Sequence, residues 1–392
     1  VPSLERGSVA GDADVFPVLS GTTQFNHAGV APLPRPVAAA VRRYLDDWST
    51  GGPQPWAYQR VSALRALGAR AIGAASAEEI AIVPNTSTGL ATVACGLDLG
   101  ADDVIVTTSV EFPANRYPWD DRGAAGAAVI VVEPTDPHGH LVDDAAIVAA
   151  MRHAFPRCSG TRVLALSHVQ FATGQQHDLP ALIAEAHALG GLVCVDGIQS
   201  VGQMPLEAEA WGVDFLSADG HKWMLGPEGC GLLYVRRAHL ERLRPPLVGW
   251  WSVRDAMDWD RHDFTLASDA RRYEPGCLCL AAIVGLAAGL ELLLDEGLPQ
   301  VQRRLRALAA RLADGAQSAG LAVLLHRSDE IGNGIVALDA GGPEANRNVN
   351  AALRRQGIHG SVRRGVLRLS PHFYNTMDQV QQAVDALRRL RA

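Results

Sequence analysis

The chain has 392 residues, 48% of them hydrophobic, with 39 Gly and a formal net charge of −7. That length accommodates two cores, or one large α/β core with a smaller companion. The acidic balance, without any Lys/Arg-rich block, argues against a nucleic-acid partner. No apolar run reaches the roughly 20 residues of a membrane span.

The opening residues Val1-Pro2-Ser3-Leu4-Glu5-Arg6 lack the basic-then-apolar pattern of a secretory signal. The six Cys, at 95, 158, 194, 230, 277 and 279, are scattered, and four lie in or beside apolar runs. Reduced core thiols in a cytoplasmic protein are expected, rather than a disulfide framework. Cys277 and Cys279 have no His or Cys cluster beside them, so no metal site is expected.

Residues 1–40 carry several Pro and Gly and are expected to pack across the functional site or onto a small domain. A large domain is expected over 41–275. Its strand-like runs are Ile80–Val83, Val104–Thr108, Val129–Val132, Val163–Ser167, Leu192–Asp196, Asp214–Ser217 and Gly231–Val235, and its helices include Thr88–Asp98, Asp143–Ala154 and Leu179–Leu189. The rhythm predicts an α/β fold with a mostly parallel sheet covered on both faces. Ligands on such sheets gather at the C-terminal strand ends. Over 276–392 the pattern becomes that of a smaller α+β domain. Helices are expected at Leu280–Glu296, Pro299–Ala319 and Glu344–Gln356 and from Asp378, with strands at Leu321–Leu325, Gly334–Asp339 and Val366–Ser370.

Lys222, in Ser217-Ala218-Asp219-Gly220-His221-Lys222-Trp223, follows one strand, and Asp196 closes an earlier one. A Lys that can form an imine with an aldehyde, and a carboxylate that keeps a pyridine nitrogen protonated, are what pyridoxal phosphate (PLP) chemistry requires. Such a pair alone is weak evidence, so its surroundings matter. Asn85-Thr86-Ser87-Thr88-Gly89 places hydroxyls at a helix N-terminus, which suits a phosphate but equally suits an ordinary N-cap. Phe112, in Glu111-Phe112-Pro113-Ala114-Asn115, can stack on a flat ring or simply fill core. Gln199 is placed to reach a ring oxygen, and His221 to support the phosphate or the amine.

Taken together, Asn85-Thr86-Ser87-Thr88, Glu111-Phe112-Pro113-Ala114-Asn115, Val195-Asp196-Gly197-Ile198-Gln199-Ser200, Gly220-His221-Lys222, Arg272-Tyr273-Glu274-Pro275-Gly276 and Arg368-Leu369-Ser370-Pro371-His372-Phe373-Tyr374-Asn375-Thr376 resemble the class V aminotransferase superfamily of fold-type I PLP enzymes. That group includes cysteine desulfurases, selenocysteine lyases, kynureninases and isopenicillin N epimerase-like enzymes. The resemblance implies a seven-stranded-type sheet, PLP, an amino-acid substrate and a homodimer with shared sites. It implies Lys222 as the Schiff-base lysine, Asp196 as the pyridinium partner, Gln199 as the phenolate contact and Phe112 as the stacking ring. It places Thr86, Ser87, Thr88, Asp219 and His221 around the phosphate, His221 also beside the catalytic amine, and Arg368 on the substrate α-carboxylate, with Asn26, His27 and Gln170 as further substrate contacts. Two departures stand out. Cys277 occupies the position of a Thr that reaches the partner's phosphate in the family, and Cys279 that of an Asn. The stretch 357–367, where desulfurases carry a nucleophilic Cys, has none.

An Arg holding the carboxylate near the ring plane favours loss of the Cα proton over decarboxylation. The reaction expected first is therefore β-elimination from an S-substituted cysteine, giving thiol, pyruvate and ammonia. Epimerization or racemization, transamination, and decarboxylation-coupled oxidative deamination stand as alternatives. His27, Trp250, Trp251 and His359 are candidates to shape a pocket for the sulfur substituent.

Overall fold

The computed structural model describes residues 8–325 and 332–391. The opening residues 1–6 lie outside them. Seven strands, β1 (Ile80–Val83), β2 (Val104–Thr108), β3 (Ala128–Val132), β4 (Arg162–Ser167), β5 (Leu192–Asp196), β6 (Phe215–Asp219) and β7 (Gly231–Val235), form one sheet. Their spatial order is β1-β7-β6-β5-β4-β2-β3. All neighbours from β6 to β3 run parallel, whereas β7 is antiparallel to both β1 and β6. Every residue of β1, β2, β5, β6 and β7 is buried, which is why these strands read as unbroken apolar runs.

Alternation along the strands divides the apolar side chains between two faces. Leu164, Leu166, Val193 and Val195 enter one core together with Leu64, Ile283 and Leu290 of flanking helices. Val163, Ala165 and Cys194 enter another with Leu90 and Val93. Four further strands, β8 (Ala322–Val323), β9 (Val336–Asp339), β10 (Ser361–Arg363) and β11 (Val366–Leu369), form an antiparallel sheet ordered β10-β11-β9-β8. Its core draws Leu308, Leu312, Leu353, Val384 and Leu387 from three helices, with Phe25 from the N-terminal segment. That segment joins the edge of the same region, because Thr23–Gln24 pairs in parallel with Ile358–His359 and Asn26 bridges Ser370.

Several elements differ from the sequence expectation. The strand expected at Asp214–Ser217 begins one residue later and runs to Asp219, held by the Asp219–Gly231 pair. The Asp214 carboxylate instead accepts from Val193 N at 2.7 Å and meets His239 at 2.6 Å and His187 at 3.0 Å. The helix expected from Thr88 starts at Thr86, because the Asn85 side chain caps it by accepting from Thr88 N at 2.8 Å. It ends at Gly96, and Asp98 then turns into the left-handed region at φ 52°. Helices Arg35–Gly51, Pro55–Ile72 and Tyr117–Ala124 were not expected. Of the six thiols only Cys194 and Cys230 are core residues, and Cys95, Cys277 and Cys279 are exposed. Among the described residues no helix is long and apolar enough to cross a membrane.

Candidate active site

The C-terminal ends of the parallel strands open into a cleft of about 410 Å³. Strand register sets its floor: Ser167 pairs with Asp196, and Asp196 with Ser217. The chain leaving β6 turns at Gly220, so that Lys222 enters the cleft with its Nζ 5.8 Å from the centroid of the Phe112 ring. Burial pulls the Lys222 amine well below its ordinary value, against the opposing charge of Asp196. Asp196 is 2% exposed and accepts from Ile198 N at 3.0 Å. Burial, with Glu111 adding to it, pushes the Asp196 carboxyl well above the carboxylate range despite that N–H and the Lys222 charge.

At one end of the cleft stands the N-terminus of helix Thr86–Gly96, with Thr86 and Ser87 lining it. Thr86 Oγ1 accepts from Asp219 N at 2.9 Å, which leaves its own proton free to donate. Thr88 is turned away, since its N and Oγ1 both bind the Asn85 side chain, at 2.8 and 3.0 Å. Asp219 Oδ1 is buried without a partner, while Oδ2 lies 3.0 Å from His221 Nδ1. The helix can be seated this close to β6 only because residue 89 is Gly, whose Cβ position would fall 2.1 Å from Ser217 Oγ.

At the other end lies Arg368, 1% exposed on β11. It donates to the Phe171 carbonyl and, at 3.3 Å, to Asn26 Oδ1, while its Nε is buried without a partner. Burial, and then the nearby Arg363 charge, lower its pKa to about 9. The Phe171 ring meets Phe112 edge-on at 5.1 Å. Glu111 sits beneath, accepting from Asn115 Nδ2 at 2.9 Å, Thr108 Oγ1 at 3.1 Å, Gln170 Nε2 at 2.7 Å, Ser167 N at 3.0 Å and Ser167 Oγ. It ties β2 to β4 and aims the loop that carries Phe112.

The cleft thus unites Asn26, Thr86, Ser87, Phe112, Asp196, Gln199, Asp219, His221, Lys222 and Arg368. Gln199 is partly committed: its Oε1 accepts from Trp223 Nε1 at 2.7 Å and its Nε2 donates to Ala28 O at 3.0 Å, so one N–H is free. His27 does not reach the cleft. It is fully buried behind it, with Nδ1 2.8 Å from Ser370 O and Nε2 2.6 Å from Tyr374 OH. Gln170 is likewise spent on Glu111 and lies outside the lining. Cys277 is exposed, Trp251 Nε1 binds Glu274 at 3.2 Å, and neither these residues nor Trp250 and His359 line the cleft of this chain. Phe171 and Arg363 do line it, and sequence reasoning passed over both. Arg363 carried a readable signal in its position five residues before Arg368.

A sheet of this order with a buried Lys–Asp pair at its strand ends defines a fold-type I PLP-dependent enzyme. The groups facing the cleft fit that cofactor: a basic ring nitrogen suits the raised Asp196 carboxyl, and phosphate oxygens suit the Thr86 hydroxyl proton and the helix N-terminus. The chain belongs to the aminotransferase class-V family, whose sequence model matches residues 24–383. It is 27% identical over 379 residues to the uncharacterized aminotransferase YcbU of Bacillus subtilis, covering 95% of both chains. A cysteine desulfurase of Klebsiella pneumoniae is 30% identical over 355 residues, 85% of this chain and 82% of that one. Among solved structures, the complex of the cystine C–S lyase C-DES with its product cysteine persulfide has a TM-score of 0.85 at 25% identity, covering 95% of this chain and 99% of that one. A variant of C-DES with glycine covalently linked to its PLP cofactor superposes with a TM-score of 0.87 at 25% identity, covering 96% and 99%.

Proposed function

We propose that this PLP-dependent enzyme cleaves the C–S bond of an S-substituted cysteine by β-elimination. The observation that carries the proposal is the pairing, in one cleft, of the Lys222 amine with an Arg368 guanidinium whose Nε has no protein partner. Bound PLP supplies the electron sink for the electrons released at the substrate Cα. Asp196 would hold a proton on the ring nitrogen, Phe112 would cover the ring, and Thr86, Ser87 and the helix N-terminus would hold the phosphate, with His221 beside them. Lys222 would anchor the cofactor and, with its amine free, would take the Cα proton. Its lowered pKa suits that exchange of a proton near neutral pH. Arg368 grips the α-carboxylate through its free edge. In overall balance, the substituted cysteine and one water give the thiol, pyruvate and ammonium.

The absence of Cys from 357–367 favours elimination over a route that stores sulfur on the enzyme as a persulfide. The fold kinship to a cystine C–S lyase supports the same choice. The working unit is a homodimer. Leu247, Met257, Trp259 and Phe264, all within residues 247–264, are each 64–72% exposed, and exposed apolar side chains gathered in this way mark association surfaces. Trp250 and Cys277 belong to the same region, so a second copy covering it brings them toward the partner's cleft.

The test is product analysis of the holoenzyme with a panel of S-substituted L-cysteines. Thiol, pyruvate and ammonium are expected in equal amounts. A D-amino acid, or a keto acid that retains the sulfur, would overturn elimination in favour of epimerization or transamination.

A further inference from the structure

We propose that Arg363 is a second anion-reading residue, which selects amino acids whose side chain ends in an acidic group. The inference rests on the elimination reading for its choice of substrates but on separate geometry. Arg363 and Arg368 belong to adjacent antiparallel strands, with Ser361 paired to Arg368 and Arg363 paired to Val366. Alternate residues share a face, so both arginines project from the same side of this small sheet, and both line the cleft. Diagonal neighbours in such a ladder lie about 7–8 Å apart. One extended dianion can therefore span the two guanidinia.

Arg363 is also uncommitted. It is half-buried, and its hydrogen bond from Nη1 to Val362 O, at 3.0 Å, leaves the rest of the fork open. The acidic residues lining the cleft are Asp196 and Asp219. The first faces Lys222 and the second His221, at 3.0 Å. The nearby Glu111 is already saturated by its donors. Among the described residues lining the cleft, no carboxylate is left to answer the second guanidinium, and two like charges on one face repel until an anion bridges them. The positioning is built in. Arg363 precedes a tight turn in which Arg364 at φ 47° and Gly365 at φ 86° both occupy the left-handed region, the turn type that matches hairpin twist.

S-carboxymethyl-L-cysteine and S-carbamoylmethyl-L-cysteine differ by one charge at nearly constant shape, which makes them suitable probes. Binding to holoenzyme is followed by the cofactor's absorbance change, and turnover by pyruvate release. The carboxylate should bind at least about tenfold more tightly than the amide, the value of a charge-assisted hydrogen bond. Arg363→Gln should weaken the carboxylate at least tenfold more than the amide, and Arg363→Lys should restore part of the difference. A structural role would instead weaken both probes alike. Equal binding of the two probes by the wild type, or no binding of either, overturns the proposal. A binding preference without pyruvate leaves Arg363 as the selector and overturns elimination. Pyruvate from both probes at equal affinity does the reverse.

Discussion

Lys222 Nζ and the Phe112 ring, 5.8 Å apart, come from opposite sides of the sheet order: Lys222 follows β6 and Phe112 follows β2. Two parallel strands, β5 and β4, lie between their parent strands, and the C-terminal end of β5 holds Asp196. An amine, a ring and a carboxyl are thus presented around one cleft by three rigid elements. That arrangement carries the first prediction. Borohydride treatment of the holoenzyme should bleach its colour and fix the cofactor on the peptide containing Lys222. Lys222→Ala should lose this labelling and nearly all turnover. Undiminished labelling of the variant, located by peptide mass mapping, would show that another amine carries the cofactor.

Asp196 gives a pH prediction. Because burial holds its folded-state pKa above the unfolded value of about 3.9, the folded cofactor-free protein keeps a proton that the unfolded chain has released. With more protons bound at this site in the native state, the Asp196 contribution to stability falls as pH rises from near 4 toward the raised pKa. Asp196→Asn, which does not ionise, lacks this contribution, so the melting temperature of the wild type relative to the variant should fall across that interval. The same variant reconstituted with PLP should retain cofactor while turnover drops by orders of magnitude. A wild-type profile that runs parallel to that of Asp196→Asn throughout this interval would contradict a protonated buried carboxyl.

Gly89 offers a test of the phosphate cradle that leaves every functional side chain in place. A methyl group there would meet Ser217 Oγ at 2.1 Å and Ser217 Cβ at 2.8 Å, so helix Thr86–Gly96 must lift from β6. Gly89→Ala should cost about 1–3 kcal/mol by overpacking. It should also weaken PLP binding, because the helix N-terminus carries Thr86 and Ser87. Equilibrium dialysis with PLP checks this, and Ser217→Gly in the same chain should recover part of the loss by removing the obstructing side chain.

Much of this site was legible because its residues end strands that are buried on both faces. Runs such as Leu192–Asp196 leave little ambiguity about where an apolar strand stops and a polar group begins. What the sequence hid comes from convergence and from local direction. Phe171 and Arg363 reach the cleft from a loop after β4 and from the small sheet, elements whose approach no local pattern records. His27 was misjudged because it neighbours Asn26 in an extended stretch that bridges Ser370, where successive side chains point to opposite sides. Asn26 therefore meets Arg368, while His27 turns into the packing of Tyr374 and His372. Helices Arg35–Gly51 and Pro55–Ile72 escaped notice because each opens with Pro at a first-turn position, which reads as a break but is accepted at a helix start.

Arg368 provides the last prediction, and its surroundings alter what a substitution should do. Its contacts with Phe171 O and Asn26 Oδ1 fasten the small sheet to the loop after β4 and to the N-terminal segment. The side chain therefore has a structural share as well as a free Nε edge. Arg368→Lys keeps a charge but cannot maintain the two contacts and the free edge together. The melting temperature should fall, by an amount corresponding to about 1–3 kcal/mol for hydrogen bonds of a buried charged group. Substrate capture should fall further, with kcat/KM dropping by orders of magnitude while the PLP content of the folded fraction is kept. A probe without the carboxylate separates the two shares. An amine analogue of the substrate should be poor with the wild type and lose little more in the variant, since it never used the fork. If the amine and the amino acid lose activity in equal proportion, Arg368 acts only by holding the small sheet in place, and the α-carboxylate is gripped elsewhere.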